Sequence, residues 1–135
     1  MTIMGIDPGE NIGYAILEGG RLRSHGVIQY TFEGLDLLLS LVDTADVVVM
    51  ESFMLYPGKA RQQSWSKFPT VEVIGIVKYH CRNKNIPVVM QQPAIKQAFP
   101  DEKLKFLDMY TRNKHSRDAV RHALYYQRFK KERRA

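Results

Sequence analysis

The chain has 135 residues, 44% of them hydrophobic and 25% charged, which suits one domain around a single core. Its 20 Lys and Arg against 14 Asp and Glu give a net charge of +6 and a pI near 9.5, a balance that favours nucleic acid or another polyanion as partner. There is no apolar run of the roughly 18 residues that a membrane span needs, no basic-then-apolar leader, and only one cysteine, Cys81, so a membrane protein, a disulfide framework and a multi-cysteine zinc site are excluded and a reducing, cytoplasmic setting is expected.

Residues 2–7 read as a short apolar strand that ends in Asp7, and a Pro8-Gly9 turn follows. A second strand over Ile12 to Leu17 leads through Gly19-Gly20 to a third, about Arg21 to Tyr30. Thr31 caps a helix on which Leu35, Leu38, Leu39 and Val42 recur at helical spacing. Residues 46–51, DVVVME, form a continuous apolar run of the kind found at the centre of a parallel sheet, and it ends in Glu51. A loop is predicted from Ser52 to Pro69, where aromatic residues (Phe53, Tyr56, Trp65, Phe68) alternate with cations (Lys59, Arg61, Lys67) in a way that suits unstacked bases and phosphates. Phe53 sits next to the strand and reads better as a core or dimer contact.

The segment from Thr70 to Asn83 is rich in β-branched residues, but its length and lack of turn residues favour a helix, with Val71, Ile74, Val77 and Cys81 as its apolar stripe. Cys81 reads as a small buried apolar residue. A strand over Ile86 to Met90, a helix near Pro93 to Tyr110 and a last helix from about Ser116 to Arg133 complete the chain, with a basic tail at about 128–135. From Arg112 onwards Lys and Arg crowd together, with only Asp118 and Glu132 as acids. The order predicts an α/β fold: a mixed five-stranded sheet, three antiparallel strands then parallel ones, flanked by helices. Its first and fourth strands lie side by side at the centre.

Both central strands then end in an acid. Two carboxylates a few Å apart repel unless a proton or a cation lies between them. Mg²⁺ is the simplest such cation, because it prefers oxygen ligands and needs few protein carboxylates. His115 and Asp118, three apart at the start of the last helix, share a face and complete a cluster of Asp7, Glu51, His115 and Asp118. Each element alone has an ordinary explanation: a turn acid, a helix-dipole acid, a surface histidine. One acid per expected strand, then a helix-borne pair, in a basic chain, favours a metal site.

The segments "GIDPG" followed by "GYAI", then "VVVMESF", then "HSRDAVRHAL" together resemble the RuvC-like Holliday junction resolvases of the RNase H-like superfamily, over nearly the whole chain. The resemblance implies catalytic acids at Asp7, Glu51 and Asp118, with His115 at a position that holds a histidine or an acid. It also implies homodimers that bind four-way DNA junctions and nick two opposed strands. The chemistry would be two-metal phosphodiester hydrolysis with Mg²⁺, for which Mn²⁺ substitutes. Asp7 would bridge ions roughly 4 Å apart, one making a water nucleophilic and the other stabilising the leaving oxygen. His115 either ligates metal or positions the water. Lys96 either stabilises charge on the scissile phosphate or is a solvent lysine.

Candidate DNA contacts are Tyr56, Lys59, Arg61, Lys96, Lys103, Arg112, Lys114, Arg117 and Arg121. The chain departs from the family at "PAIKQAFPDEK": Pro93 and Lys96 match, Lys103 is a displaced counterpart of the second lysine, and the usual glycines are missing. Its compactness resembles phage-encoded members, which would place it in a host cytoplasm. Competing readings are an RNA nuclease of the ribosomal RNA processing type, a non-catalytic junction-binding protein and an actin-like phosphatase. The last would need a second lobe that 135 residues do not supply.

Overall fold

The computed structural model describes the backbone of residues 1–53 and 60–134 and the side chains of residues 1–53 and 68–130. Strands β1 (Thr2–Asp7), β2 (Asn11–Glu18) and β3 (Arg21–Gln29) form an antiparallel meander. Gly19 and Gly20, both at positive φ, make the turn between β2 and β3. Helix α1 (Phe32–Val42) starts at Thr31, whose hydroxyl accepts the Gly34 amide at 3.0 Å. Strand β4 (Val47–Glu51) then runs parallel to β1, with Ile6 opposite Met50, so that Asp7 and Glu51 end neighbouring strands. Helix α2 (Ala60–Lys84) leads to β5 (Val88–Gln91), parallel to β4, with Gln91 opposite Glu51. The sheet order is β3-β2-β1-β4-β5, the predicted mixed sheet.

Three boundaries differ from the sequence reading. Helix α2 begins at Ala60, ten residues before the predicted start, and passes through Pro69. A proline inside a helix removes one hydrogen bond, at about 3 kcal/mol, and burial of Val73, Val77 and Cys81 against the sheet opposes that cost. The helix predicted over 93–110 is broken. A 3-10 helix (Pro93–Ala98) ends at Phe99, which is held out of the helical region before Pro100, and α3 (Asp101–Phe106) starts after that proline. Helix α4 (Lys114–Arg134) absorbs the basic segment from Arg128, so the expected tail forms its last turns.

Strand alternation divides the core in two. On one face Met4, Ile6, Val48 and Met50 meet Leu38 and Val42 of α1 and Val73, Val77 and Cys81 of α2. Of the predicted stripe on α2, Val77 and Cys81 are buried and Ile74 packs against the core, while Val71 points outward and Val73 takes its place. On the other face Ile3, Ala15, Leu17, Val47 and Val49 meet Ala119, Val120, Ala123 and Leu124 of α4, with Phe99 and Leu104 beside them. Among the described residues no helix is long and apolar enough to cross a membrane.

Helix α4 lies directly on the sheet backbone. A Cβ placed on Gly5 would come within 2.1 Å of the Ala119 carbonyl oxygen, and one on Gly13 within 2.0 Å of that of His115. Backbone cannot yield as a flexible side chain does, so any residue larger than glycine lifts the helix. Gly13→Ala should destabilise the protein by about 1–3 kcal/mol or more, read as a lower midpoint in urea at unchanged slope. Parent-like stability would mean that α4 shifts without loss.

Candidate active site

The period of two along each strand turns Asp7, Glu51 and Gln91 to the face that α4 covers, at the ends of β1, β4 and β5. On α4, His115, Asp118 and His122 stand at i, i+3 and i+7 and share one stripe. The start of the helix is fixed by local bonds. The Asn113 side chain accepts the His115 amide at 2.8 Å, and the Ser116 hydroxyl bonds the Thr111 hydroxyl at 2.8 Å and the Asn113 carbonyl at 3.0 Å. Strand ends and helix stripe face each other across an open cleft of about 300 Å³, lined by Asp7, Glu51, Lys96, His115 and Asp118, with Ser52, Phe53, Thr70 and Lys114 at its sides. All four residues predicted to form the cluster are thus in one place, together with Lys96.

Each acid is turned to a partner of its own. His115 Nδ1 lies 3.2 Å from Asp7 Oδ2. Glu51 Oε1 meets His122 Nε2 at 3.0 Å and Lys96 Nζ at 2.8 Å. Asp118, 6% exposed, accepts from Arg121 at 2.9 Å and has the Lys96 ammonium 3.7 Å away. These pairings set the charges apart. Burial pushes the Asp7 carboxyl above the usual range, the His115 hydrogen bond opposes it, and the charges of Glu51 and Asp118 add to the rise. Burial also works against ionised Glu51, but hydrogen bonds from His122 and Lys96 outweigh it and hold Glu51 down at about 2. Burial lowers the Lys96 ammonium, yet its bond to Glu51 and the charges of Glu51, Asp118 and Asp7 raise it overall.

Among the described residues no three acidic, histidine or cysteine side chains converge closely enough to hold an ion as they stand. The donor chemistry still fits a hard divalent cation. Three carboxylates line one cleft, Arg121 of Asp118 is shared with Asp101, and Asp7 has no Lys or Arg partner among the described residues. Burial first, and then the like charges of Glu51 and Asp118, raise the Asp7 carboxyl, and a cation held there would oppose that rise.

The predicted DNA contacts fall into four groups. Lys96 and Lys114 line the cleft, and Arg112 is exposed. Lys103 lies over the Phe99 ring at 4.9 Å. Arg121 differs from its prediction: it is buried, donates to the Phe99 carbonyl at 2.7 Å, and pairs with Asp118 and Asp101, so it holds Asp118 in place and has no donor turned to solvent phosphate. Arg117 is half-buried and engaged by Tyr110, Thr111 and Asp101 at the surface. Tyr56, Lys59 and the side chain of Arg61 lie outside the described residues, as do those of Trp65 and Lys67. The sequence reading missed His122 and Gln91. The signal was present: His122 continues the His115–Asp118 stripe by one turn, and Gln91 is a polar residue at the end of an apolar strand.

No family model matches this chain, and no curated protein matches it by sequence. Solved structures do match. The RuvC of Thermus thermophilus in complex with a Holliday junction substrate has a TM-score of 0.77 at 20% identity, over 100% of this chain and 98% of that one. A further Thermus thermophilus RuvC structure gives 0.71 at 19%, over 98% and 96%. The Fowlpox virus resolvase, in a complex with substrate Holliday junction DNA, gives 0.64 at 18%, over 93% and 98%. The fold is therefore that of RuvC within the RNase H-like class, as the motifs implied.

The opposite shifts of Asp7 and Glu51 predict opposite pH behaviour. The folded value of Asp7 is raised above 3.8, so its contribution is favourable at low pH and is lost as pH rises through that folded value. Without divalent cations, Asp7→Asn should melt at or above the parent temperature at neutral pH, with the advantage fading towards pH 3.8. Glu51 stabilises above its ordinary 4.5, and that stability is lost as pH falls towards about 2. Glu51→Gln should therefore lower the melting temperature at pH 7 and much less near pH 2. A destabilised Asp7→Asn at neutral pH would mark Asp7 as a structural turn acid.

Proposed function

We propose that this chain is a RuvC-like resolvase: a structure-selective endonuclease that cuts four-way and other branched DNA junctions by metal-dependent phosphodiester hydrolysis. The observation that carries the reading is the convergence of Asp7, Glu51, His115 and Asp118 on one open cleft. The fold is one shared with resolvases whose structures contain Holliday junction DNA. Asp7, Glu51 and Asp118 would hold the cations, Asp7 being the acid that has no Lys or Arg partner among the described residues. A pair of Mg²⁺ ions, or Mn²⁺ in their place, would lower the pKa of the attacking water and balance charge on the leaving oxygen.

The protein's own groups do the rest. His115 holds Asp7 Oδ2 and faces the cleft, where it orients the ligand or the attacking water. Lys96 pairs with Glu51 and lies near Asp118, and its ammonium would balance charge on a scissile phosphate if cations held those carboxylates. Lys114 at the cleft wall and exposed Arg112 bind neighbouring phosphates without reading sequence. Tyr56, Lys59, Arg61 and Lys103 extend that surface. The whole chain acts as one nuclease domain, in a cellular or host cytoplasm.

Two opposed strands require two sites, which a C2 homodimer supplies. The outer face of α2 suits such an interface: Phe68, Val71 and Tyr79 are 57%, 50% and 67% exposed on one side of the helix, facing away from the core.

Incubation with Mg²⁺ and labelled four-way junctions, linear duplex or structured RNA tests the activity. Junctions should be nicked on opposed strands, duplex should be spared, and Asp7→Asn should lose cleavage by orders of magnitude while still binding junctions. Preferential cleavage of RNA would transfer the site to RNA processing, and binding without cleavage by the parent would leave a junction-binding protein.

The dimer predicts that Val71→Asp with Tyr79→Asp yields a monomer by light scattering, with its melting temperature nearly unchanged. Such a monomer should nick junctions on one strand at a time. Dimeric mass in the double variant would place the interface elsewhere.

A further inference from the structure

His122 is a histidine that the catalytic reading leaves unused. It is fully buried on α4, one turn beyond Asp118, and both ring nitrogens are engaged: Nε2 with Glu51 Oε1 at 3.0 Å and Nδ1 with the Gln91 side-chain oxygen at 2.8 Å. In this arrangement the Gln91 amide nitrogen is buried without a partner. A neutral imidazole has one donor and one acceptor nitrogen, so it cannot donate to two oxygens. Turning the Gln91 amide by half a rotation gives the ring an acceptor-compatible partner and the amide nitrogen a bond, and leaves the amide oxygen in the buried position without a donor. Its nitrogen then donates to Nδ1, and Nε2–H is left to donate to Glu51. The oxygen and nitrogen of an amide have nearly the same shape, so the hydrogen-bond pattern decides the orientation.

We propose that His122 is a positioning residue: with its ring held by Gln91, it donates Nε2–H to Glu51 Oε1 and fixes that carboxylate so that Oε2 is presented to a divalent cation. The inference rests on the metal-dependent reading above and adds residues to it. Register explains why the relay exists. Gln91 stands opposite Glu51 across the β4–β5 pair, and His122 reaches over both from α4. Both contacts to Glu51 fall on Oε1, and among the described residues Oε2 has no hydrogen-bond partner. When Lys96 turns away, His122 is the group that still holds the carboxylate. Partners of ligating carboxylates commonly contribute 10–100-fold to metal affinity.

The test is Mn²⁺ binding by the full chain without DNA, followed by calorimetry and by electron paramagnetic resonance of free Mn²⁺. His122→Leu should bind Mn²⁺ about 10–100-fold more weakly than the parent. His122→Gln, whose amide nitrogen reaches nearly as far as Nε2, should recover most of that loss. Melting temperatures without metal establish that each variant is folded. Gln91→Leu leaves α4 untouched and should weaken Mn²⁺ binding several-fold, and it carries the test if His122→Leu does not fold. Nitrogen-15 spectra of the parent should show His122 protonated at Nε2 and bare at Nδ1. Equal losses in folded Leu and Gln variants, parent-like binding by either Leu variant, or a ring protonated at both nitrogens would each overturn the relay while leaving the metal site standing. Absence of Mn²⁺ binding by the parent would overturn the metal reading and the relay with it.

Discussion

The close seating of α4 on the backbone of β1 and β2 is the constraint on which the rest of the site depends. Glycine at 5 and 13 and alanine at 15, 119 and 123 remove the side-chain layer that normally separates helix from sheet. Strand ends and helix start are then close enough for His115 to reach Asp7 and for His122 to reach Glu51. The short residues of "GIDPG", "GYA" and "DAVRHA" are therefore part of the chemistry, although none of them carries a reactive group. They set the distance at which the reactive groups meet.

That proximity creates an electrostatic difficulty, which the fold resolves unevenly. Three carboxylates share one cleft. Glu51 is held ionised by His122 and Lys96, and Asp118 is paired with Arg121. Among the described residues Asp7 is met by His115 alone, and its carboxyl is pushed up. Two of the acids thus have Lys or Arg partners, and among the described residues the third has none. An acid in deficit at the centre of an open cleft suits a mobile cation better than a structural role, since burying an unpaired carboxylate opposes folding.

The basic character of the chain divides in the same way. Arg117 and Arg121 belong to the helix stretch that looked most like a nucleic-acid surface, yet both pair with Asp101, and Arg121 with Asp118 as well. Lys96 and Lys114 face the cleft itself. Net charge counts these residues alike; burial separates those that hold the acids from those available to phosphate.

The sequence pointed to an antiparallel-then-parallel sheet with β1 beside β4, and to Asp7, Glu51, His115 and Asp118, which the fold brings to one cleft; the strands and the acids that end them are marked by local signals, namely apolar runs, turn glycines and a terminal carboxylate. It missed the extent of α2, since Pro69 reads locally as a breaker while the flanking turns continue the helix, and it missed the break at Pro100 for the converse reason. Tertiary structure alone decided which partner each acid takes. Arg121 beneath Asp118, Lys96 between Glu51 and Asp118, and His122 with Gln91 behind Glu51 are contacts between residues 3 to 71 positions apart. Arg121–Asp118 is a pair within α4, but the contacts of Lys96, His122 and Gln91 depend on the rotation and depth of α4 over the sheet. Periodicity shows which side of an element is buried, but not which side chain of another element it meets there, because that is set by the packing distance that Gly5 and Gly13 allow.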